Sequence, residues 1–216
     1  MQFSAAYFTL PINPVVPISS FREVELRRKK PLVLCDIDDT VIGYDKTYDF
    51  FYKQLLATAQ TKNNVPATKN NVPAKMTSIF NIANNHNNDY ELKHEAEQMY
   101  NYYRMLNKPK HCDYVGFMDL VERVKQIDGE LQFLTARSRE SAFHTRNQFK
   151  EIGLNYDDYR VHYTGGGMTK GMYISRYFNV NMYGEVLFID DLDSFIDSVV
   201  STCPSVRCYK FNYIPS

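Results

Sequence analysis

A chain of 216 residues with 44% hydrophobic and 14% aromatic content can build a sizeable core, as one domain with an insertion or as a large and a small domain. Lysine plus arginine and aspartate plus glutamate number 25 each, so the formal net charge is zero and no global field draws the protein to nucleic acid or to anionic membrane. The four cysteines, Cys35, Cys112, Cys203 and Cys208, show no zinc spacing, which fits a reduced, cytoplasmic setting; a bridge between Cys203 and Cys208 across their short turn is sterically conceivable.

The first twenty residues are apolar, lack a basic leader and are interrupted by Pro11, Pro14 and Pro17. They suit neither a signal peptide nor a membrane helix, and residues 1–30 read as an extended arm on the domain. Arg27, Arg28, Lys29 and Lys30 close that arm, and a charged gatekeeper before an aggregation-prone strand accounts for them.

The strand follows. Pro31 to Cys35 is a continuous apolar run, as in a buried parallel strand, and it ends in Asp36-Ile37-Asp38-Asp39-Thr40. Ligands in α/β folds gather at the carboxyl ends of such strands. Carboxylates about 4 Å apart at an effective dielectric near 20 repel by roughly 4 kcal/mol per pair. A cation, protonation of one member or spreading into solvent must offset that repulsion. Taken alone, the string is as readily a solvated acidic turn as a site.

Residues 44–111 break the pattern. Asp49 to Ala59 reads as a short helix with Phe50, Phe51, Leu55 and Leu56 on its apolar face, and Tyr90 to Leu106 as a second helix. Between them lie a tandem repeat, Thr61 to Ala67 and Thr68 to Ala74, and an Asn-rich stretch from Asn81 to Asn88. The repeat prolines forbid a coiled coil, and the segment reads as a mobile loop inside a helical insertion.

From Asp113 helices and strands alternate. Asp113 can cap a helix through Val124; Leu131 to Ala136 is a strand; Ser138 opens a helix to about Ile152; Tyr159 to Tyr163 is a short strand; Thr169 opens a helix through Tyr177. Glu185 to Ile189 is a second apolar strand, Leu192 to Ser201 a helix, and Val206 to Phe211 the last strand. Such alternation implies right-handed βαβ units and an α/β, doubly wound parallel sheet. Its core spans 31–43 and 112–216.

Three further polar signals fall at strand ends or helix starts: Thr135 with Arg137, Lys170 beside Gly171, and the pair Asp190-Asp191. Each has a plain structural use as turn former, solvated lysine or cap. A cation at a helix N-terminus opposes the macrodipole, however, and suggests an anion near Lys170. The preceding Gly165-Gly166-Gly167 lacks the ending of a nucleotide-binding P-loop. The five histidines make no metal pattern.

In order and spacing, Asp36-x-Asp38, Thr135, Lys170 and Asp190-Asp191 together resemble the motifs of the haloacid dehalogenase-like (HAD) phosphatases, over residues 31–43 and 113–211. The second aspartate is similar to that of the phosphatase branch. The resemblance implies a HAD-like Rossmannoid core with the helical insertion as a cap. It implies Asp36 as nucleophile, Asp38 as proton donor and acceptor, and Thr135 and Lys170 as phosphate-binding groups. Mg²⁺ would be held by Asp36, the backbone carbonyl of Asp38 and Asp190, with Asp191 orienting ligand waters or Lys170 from behind. Like-charge crowding by Asp36 would raise the pKa of Asp38. Arg137 can reach substrate or pair with an acidic neighbour, and the sequence leaves both open. The implied activity is hydrolysis of a small phosphorylated metabolite; alternatives are a phosphatase of nucleic-acid ends or phosphoproteins, and a catalytically silent HAD-like binding domain.

Overall fold

The computed structural model describes residues 13–61 and 89–214, side chains of 60 and 61 excepted. The Pro-containing repeat and the Asn-rich stretch, apart from Thr61, and the first twelve residues of the arm lie outside them. Two compact units are present: residues 13–43 with 110–214, and 44–61 with 89–109.

The first unit is built on six parallel strands, β1 (Val16–Ile18), β2 (Pro31–Cys35), β5 (Glu130–Thr135), β6 (Arg160–Tyr163), β7 (Glu185–Asp190) and β8 (Arg207–Phe211), in the order β1-β8-β7-β2-β5-β6. The chain runs outward from β2 through β5 to β6, then returns to the other side of β2 for β7 and β8. The carboxyl end of β2 is therefore the point where strand order reverses, and open α/β sheets bind ligands at that crevice. The α/β, doubly wound fold class expected from the sequence is present.

Strand periodicity sorts the side chains to two faces. Leu32, Leu34, Leu134, Val186, Phe188 and Cys208 pack with Ile174 of α5 (Lys170–Tyr177) and Ile196 and Val199 of α6 (Asp193–Thr202). On the opposite face an aromatic row connects Phe211, Phe21, Phe117 of α3 (Tyr114–Gln126), Phe133 and Phe149 of α4 (Ala142–Glu151), with successive ring centroids 4.7 to 6.0 Å apart. Asp113 caps α3 as expected, accepting from the Gly116 N–H at 2.9 Å. Ser138 precedes a short 3₁₀ turn, Arg139–Ser141, and makes no side-chain capping bond.

The arm departs from expectation. Val16–Ile18 is an edge strand whose register pairs Pro17 with Lys210. An edge position tolerates the missing proline N–H on its free side. All four cysteines are free thiols, so Cys203 and Cys208 do not pair here.

The chain leaves this unit at β3 (Ile42–Gly43) and re-enters at β4 (Lys110–His111), and the two are antiparallel partners. The second unit holds α1 (Tyr48–Thr61) and α2 (Asp89–Leu106), each close to its predicted span. Phe51, Leu55, Leu92, Ala96, Met99 and Tyr100 form its core, with Phe50 and Tyr103 packed against it. These aromatic side chains serve helix packing, whereas Tyr102 is exposed. Among the described residues, no helix is long and apolar enough to cross a membrane.

Candidate active site

Residues Asp36 and Asp190 follow one another across the sheet. The β2–β7 register ends at Cys35 opposite Ile189, and the Asp36 N–H continues the ladder to the Ile189 carbonyl at 2.9 Å. Because side chains alternate, both carboxylates share the face of Leu34 and Phe188, which is the face that α5 and α6 cover. Lys170 is the first residue of α5. Thr169 caps the helix through its hydroxyl, which accepts from the Met172 N–H at 3.2 Å.

Lys170 is fully buried. Its ammonium donates to Asp36 Oδ1 and, at 2.6 Å, to Asp190 Oδ2, while its charge also lies 4.5 Å from the Phe195 ring centroid and 5.7 Å from that of Phe188. The other Asp190 oxygen accepts from the Leu192 N–H at 2.9 Å. Burial opposes the charge on Lys170, but the two carboxylates outweigh it and hold the lysine above its ordinary range. The anion suggested by the helix-start lysine is thus a pair of side-chain carboxylates.

Gly171 makes this placement possible. A Cβ there would lie 1.9 Å from the Ser198 carbonyl oxygen, so α5 and α6 approach too closely for any side chain. We expect Gly171→Ala to push the helices apart and draw Lys170 off the carboxylates. Thermal unfolding and turnover should both fall; an unchanged melting temperature would contradict the close approach.

The sequence reading puts Asp191 behind the ligands, orienting waters or Lys170. Lys170 bonds Asp36 and Asp190 rather than Asp191, and Asp191 joins those two in one cluster whose ligand oxygens all lie within 4.8 Å of one another. The Thr40 hydroxyl donates to Asp191 Oδ1 at 3.3 Å, so it is Thr40 that stands behind the cluster. Three hard oxygen donors with one ammonium among them suit a small divalent cation. Asp36, Asp190 and Asp191 would hold such an ion, and hard carboxylate oxygens are the donors Mg²⁺ takes.

Burial is the main reason the Asp36 carboxyl is pushed up to about 7; Lys170 pulls it down, and Asp190 and Asp38 push it up further. Asp190 and Asp191 are also raised, again by burial first. Asp38 is thus one of the like charges that raise Asp36. A divalent cation among these groups would favour their ionised forms.

Asp38 faces a different partner. Arg137 Nη2 donates to Asp38 Oδ1 at 2.6 Å and Nε to Oδ2 at 2.8 Å, a two-pronged ion pair with the arginine side chain 8% exposed and the aspartate 22%. Of the two uses the sequence left open for Arg137, the structure shows the acidic neighbour. Thr135 ends β5 beside β2, and its buried hydroxyl accepts from the Arg137 N–H at 3.2 Å. Asp39 has φ 55°, a left-handed conformation that aspartate tolerates better than most residues, and its N–H bonds the Ile42 carbonyl at 2.7 Å. It shapes the tight turn that presents Asp38. Sequence reasoning missed Thr145, which bonds Arg137 from α4.

No family model matches the chain, and no curated protein matches it. Among solved structures it is similar to a HAD-superfamily hydrolase from Ehrlichia chaffeensis, at 15% identity and TM-score 0.44 over 87% of this chain and 90% of that one. It is likewise similar to a hydrolase from Streptococcus pneumoniae TIGR4, at 14% identity and TM-score 0.44 over 87% and 95%. A Legionella pneumophila effector gives 15% identity and TM-score 0.45 over 88% and 90%. Likeness at this level does not fix an activity; the residues of the site carry the functional reading.

Proposed function

We propose that this chain is a Mg²⁺-dependent phosphomonoester hydrolase of the HAD-like type, acting on a small phosphorylated metabolite through an aspartyl-phosphate. The observation that carries the proposal is the cluster of Asp36, Asp190 and Asp191 held around the buried Lys170 ammonium at the switch point of a parallel sheet.

Mg²⁺ would be held by Asp36, Asp190, Asp191 and the Asp38 backbone carbonyl, and it would supply charge neutralisation for the incoming phosphoryl oxygens. Asp36 attacks phosphorus and forms the covalent intermediate. Asp38 gives a proton to the leaving oxygen and later takes one from the attacking water. Both of its oxygens accept from Arg137, and each keeps a second lone pair on which a proton can sit. Lys170 neutralises Asp36 before attack and, with the Thr135 hydroxyl, binds the transferring phosphoryl oxygens. The insertion at 44–111 is expected to act as the cap that selects the substrate.

The test is a screen over sugar phosphates, nucleotides, phospho-amino acids and a generic aryl phosphate. Turnover should vanish on chelation, return with Mg²⁺ and not return with Ca²⁺, whose longer bonds and flexible coordination suit this compact cluster poorly. Folded, Mg²⁺-loaded protein that is inert across the panel and does not trap beryllium trifluoride at Asp36 would overturn the proposal. Better turnover of a 3′-phosphorylated oligonucleotide than of its mononucleotide would move the substrate class to nucleic-acid ends.

A further inference from the structure

Arg137 is anchored on two sides. One edge of its guanidinium, Nε and Nη2, faces the Asp38 carboxylate, and Nη1 donates to the Thr145 hydroxyl at 2.9 Å. Thr145 is fully buried in the first turn of α4, and its own hydroxyl proton goes to the Ser141 carbonyl at 3.0 Å. A hydroxyl has one proton and two lone pairs. With the proton committed to Ser141, the oxygen faces Arg137 only as an acceptor. The hydrogen bonds therefore run in one sense, from Arg137 to Thr145 to Ser141 on one side and from Arg137 to Asp38 on the other.

We propose that Thr145 is a positioning residue for proton transfer: it fixes the Arg137 plane and, through it, the orientation of the Asp38 carboxylate. This rests on the phosphatase reading and adds to it the element that aims the proton. The guanidinium is planar and rigid. Two parallel bonds to Asp38 let the ion pair tilt as one body about the arginine stem. A third bond, from Nη1 to α4, restrains that tilt. A threonine in a helix often bonds the carbonyl four residues back, but that habit alone leaves its other lone pairs to solvent. Here Thr145 is fully buried and a charged group from the β5–α4 connection uses one of them. Asp38 must reach a leaving oxygen and then a water on nearly the same line, and such transfers weaken with small errors of aim.

The test compares Thr145→Val, close in shape but without the acceptor, with Thr145→Ser, which keeps it. Both are assayed with Mg²⁺ on an alkyl phosphate, whose leaving group needs a proton, and on an aryl phosphate with an acidic phenol, whose leaving group does not. We expect Thr145→Val to lower kcat on the alkyl phosphate about 10- to 100-fold with KM changed less than about threefold. Its loss on the aryl phosphate should be several-fold smaller, and Thr145→Ser should recover most of the activity. Equal losses on the two substrates, no loss, or failure of serine to rescue would overturn the proposal. The Arg137 Nε–H NMR resonance gives a readout without turnover: it should shift in Thr145→Val and hold in Thr145→Ser, and an unmoved signal in both would also overturn it. An inactive wild type would sink the phosphatase reading, and the NMR comparison would still decide whether Thr145 fixes Arg137. Should the valine variant not fold, Thr145→Ala takes its place in both measurements.

Discussion

Asp36→Asn is expected to abolish turnover of an aryl phosphate, by at least about 10⁴-fold, because an amide oxygen neither attacks phosphorus nor survives as an acyl phosphate. The variant should remain folded. The amide keeps an acceptor for Lys170 and removes one charge from a buried cluster in which Asp190 and Asp38 push the Asp36 carboxyl up. Its stability should also depend differently on pH. Asp36 binds its proton at about pH 7 in the folded, metal-free protein and near 4 when unfolded. Between those values the folded state holds more protons, so stability is fully present at low pH and declines as pH rises from about 4 to 7. Asp190 and Asp191 are raised too and act with the same sign. Melting of metal-free wild type from pH 4.5 to 7.5 should slope downward; the slope should shrink in Asp36→Asn, and Mg²⁺ should lift the wild type most at the upper end. A slope unchanged by the substitution would mean that Asp36 does not carry the shift.

Lys170→Met should be the most destabilising single change at the site. The ammonium is fully buried between Asp36 and Asp190, and breaking a buried ion pair by removing one partner costs about 3 to 5 kcal/mol because the other charge is stranded. For a chain of this size that is a fall in Tm of roughly 6 to 20 °C. Two recoveries are expected: lowering the pH, which lets the carboxylates take protons, and adding Mg²⁺, which replaces part of the missing charge. Activity should not return with either, since the phosphoryl contact is gone. Denaturant unfolding of the variant at pH 5 and 7.5, with and without Mg²⁺, checks this. Equal stability of wild type and variant at neutral pH would show that Lys170 is not the counter-charge of the cluster.

How much of the fold and site is legible in the sequence follows from what each residue's neighbours advertise. The strand before Asp36 stands out because five consecutive buried positions leave an apolar run, and the alternation of elements after Asp113 defines a parallel sheet. β1 does not stand out: three residues with a central proline carry no alternation to read. Asp36, Lys170 and Asp190 announce themselves by sitting at strand ends and a helix start. The Asp38–Arg137 pair spans 99 residues, so its existence depends on β5 lying beside β2 and on where the turn after β2 points. The place behind the cluster given to Asp191 comes from the resemblance; β7 ends at Asp190, and where the next residue's carboxylate goes, here beside the Thr40 hydroxyl, depends on a bend no sequence pattern marks. Thr145 is silent, since a threonine within a polar helix looks the same whether it meets water or a guanidinium.

The paired ends of β2 and β7 have a further consequence. Neighbouring strands lie about 4.8 Å apart wherever a sheet exists, so the span between the Asp36 and Asp190 backbones is inherited from the hydrogen-bond ladder and no local substitution retunes it. In the proposed metal site the backbone spacing of two of the three carboxylates is in that sense a property of polypeptide geometry. What this chain can adjust lies off the ladder: the reach of Asp191 under Thr40, and the left-handed turn at Asp39. Variants that change metal selectivity without loss of fold should arise at those positions.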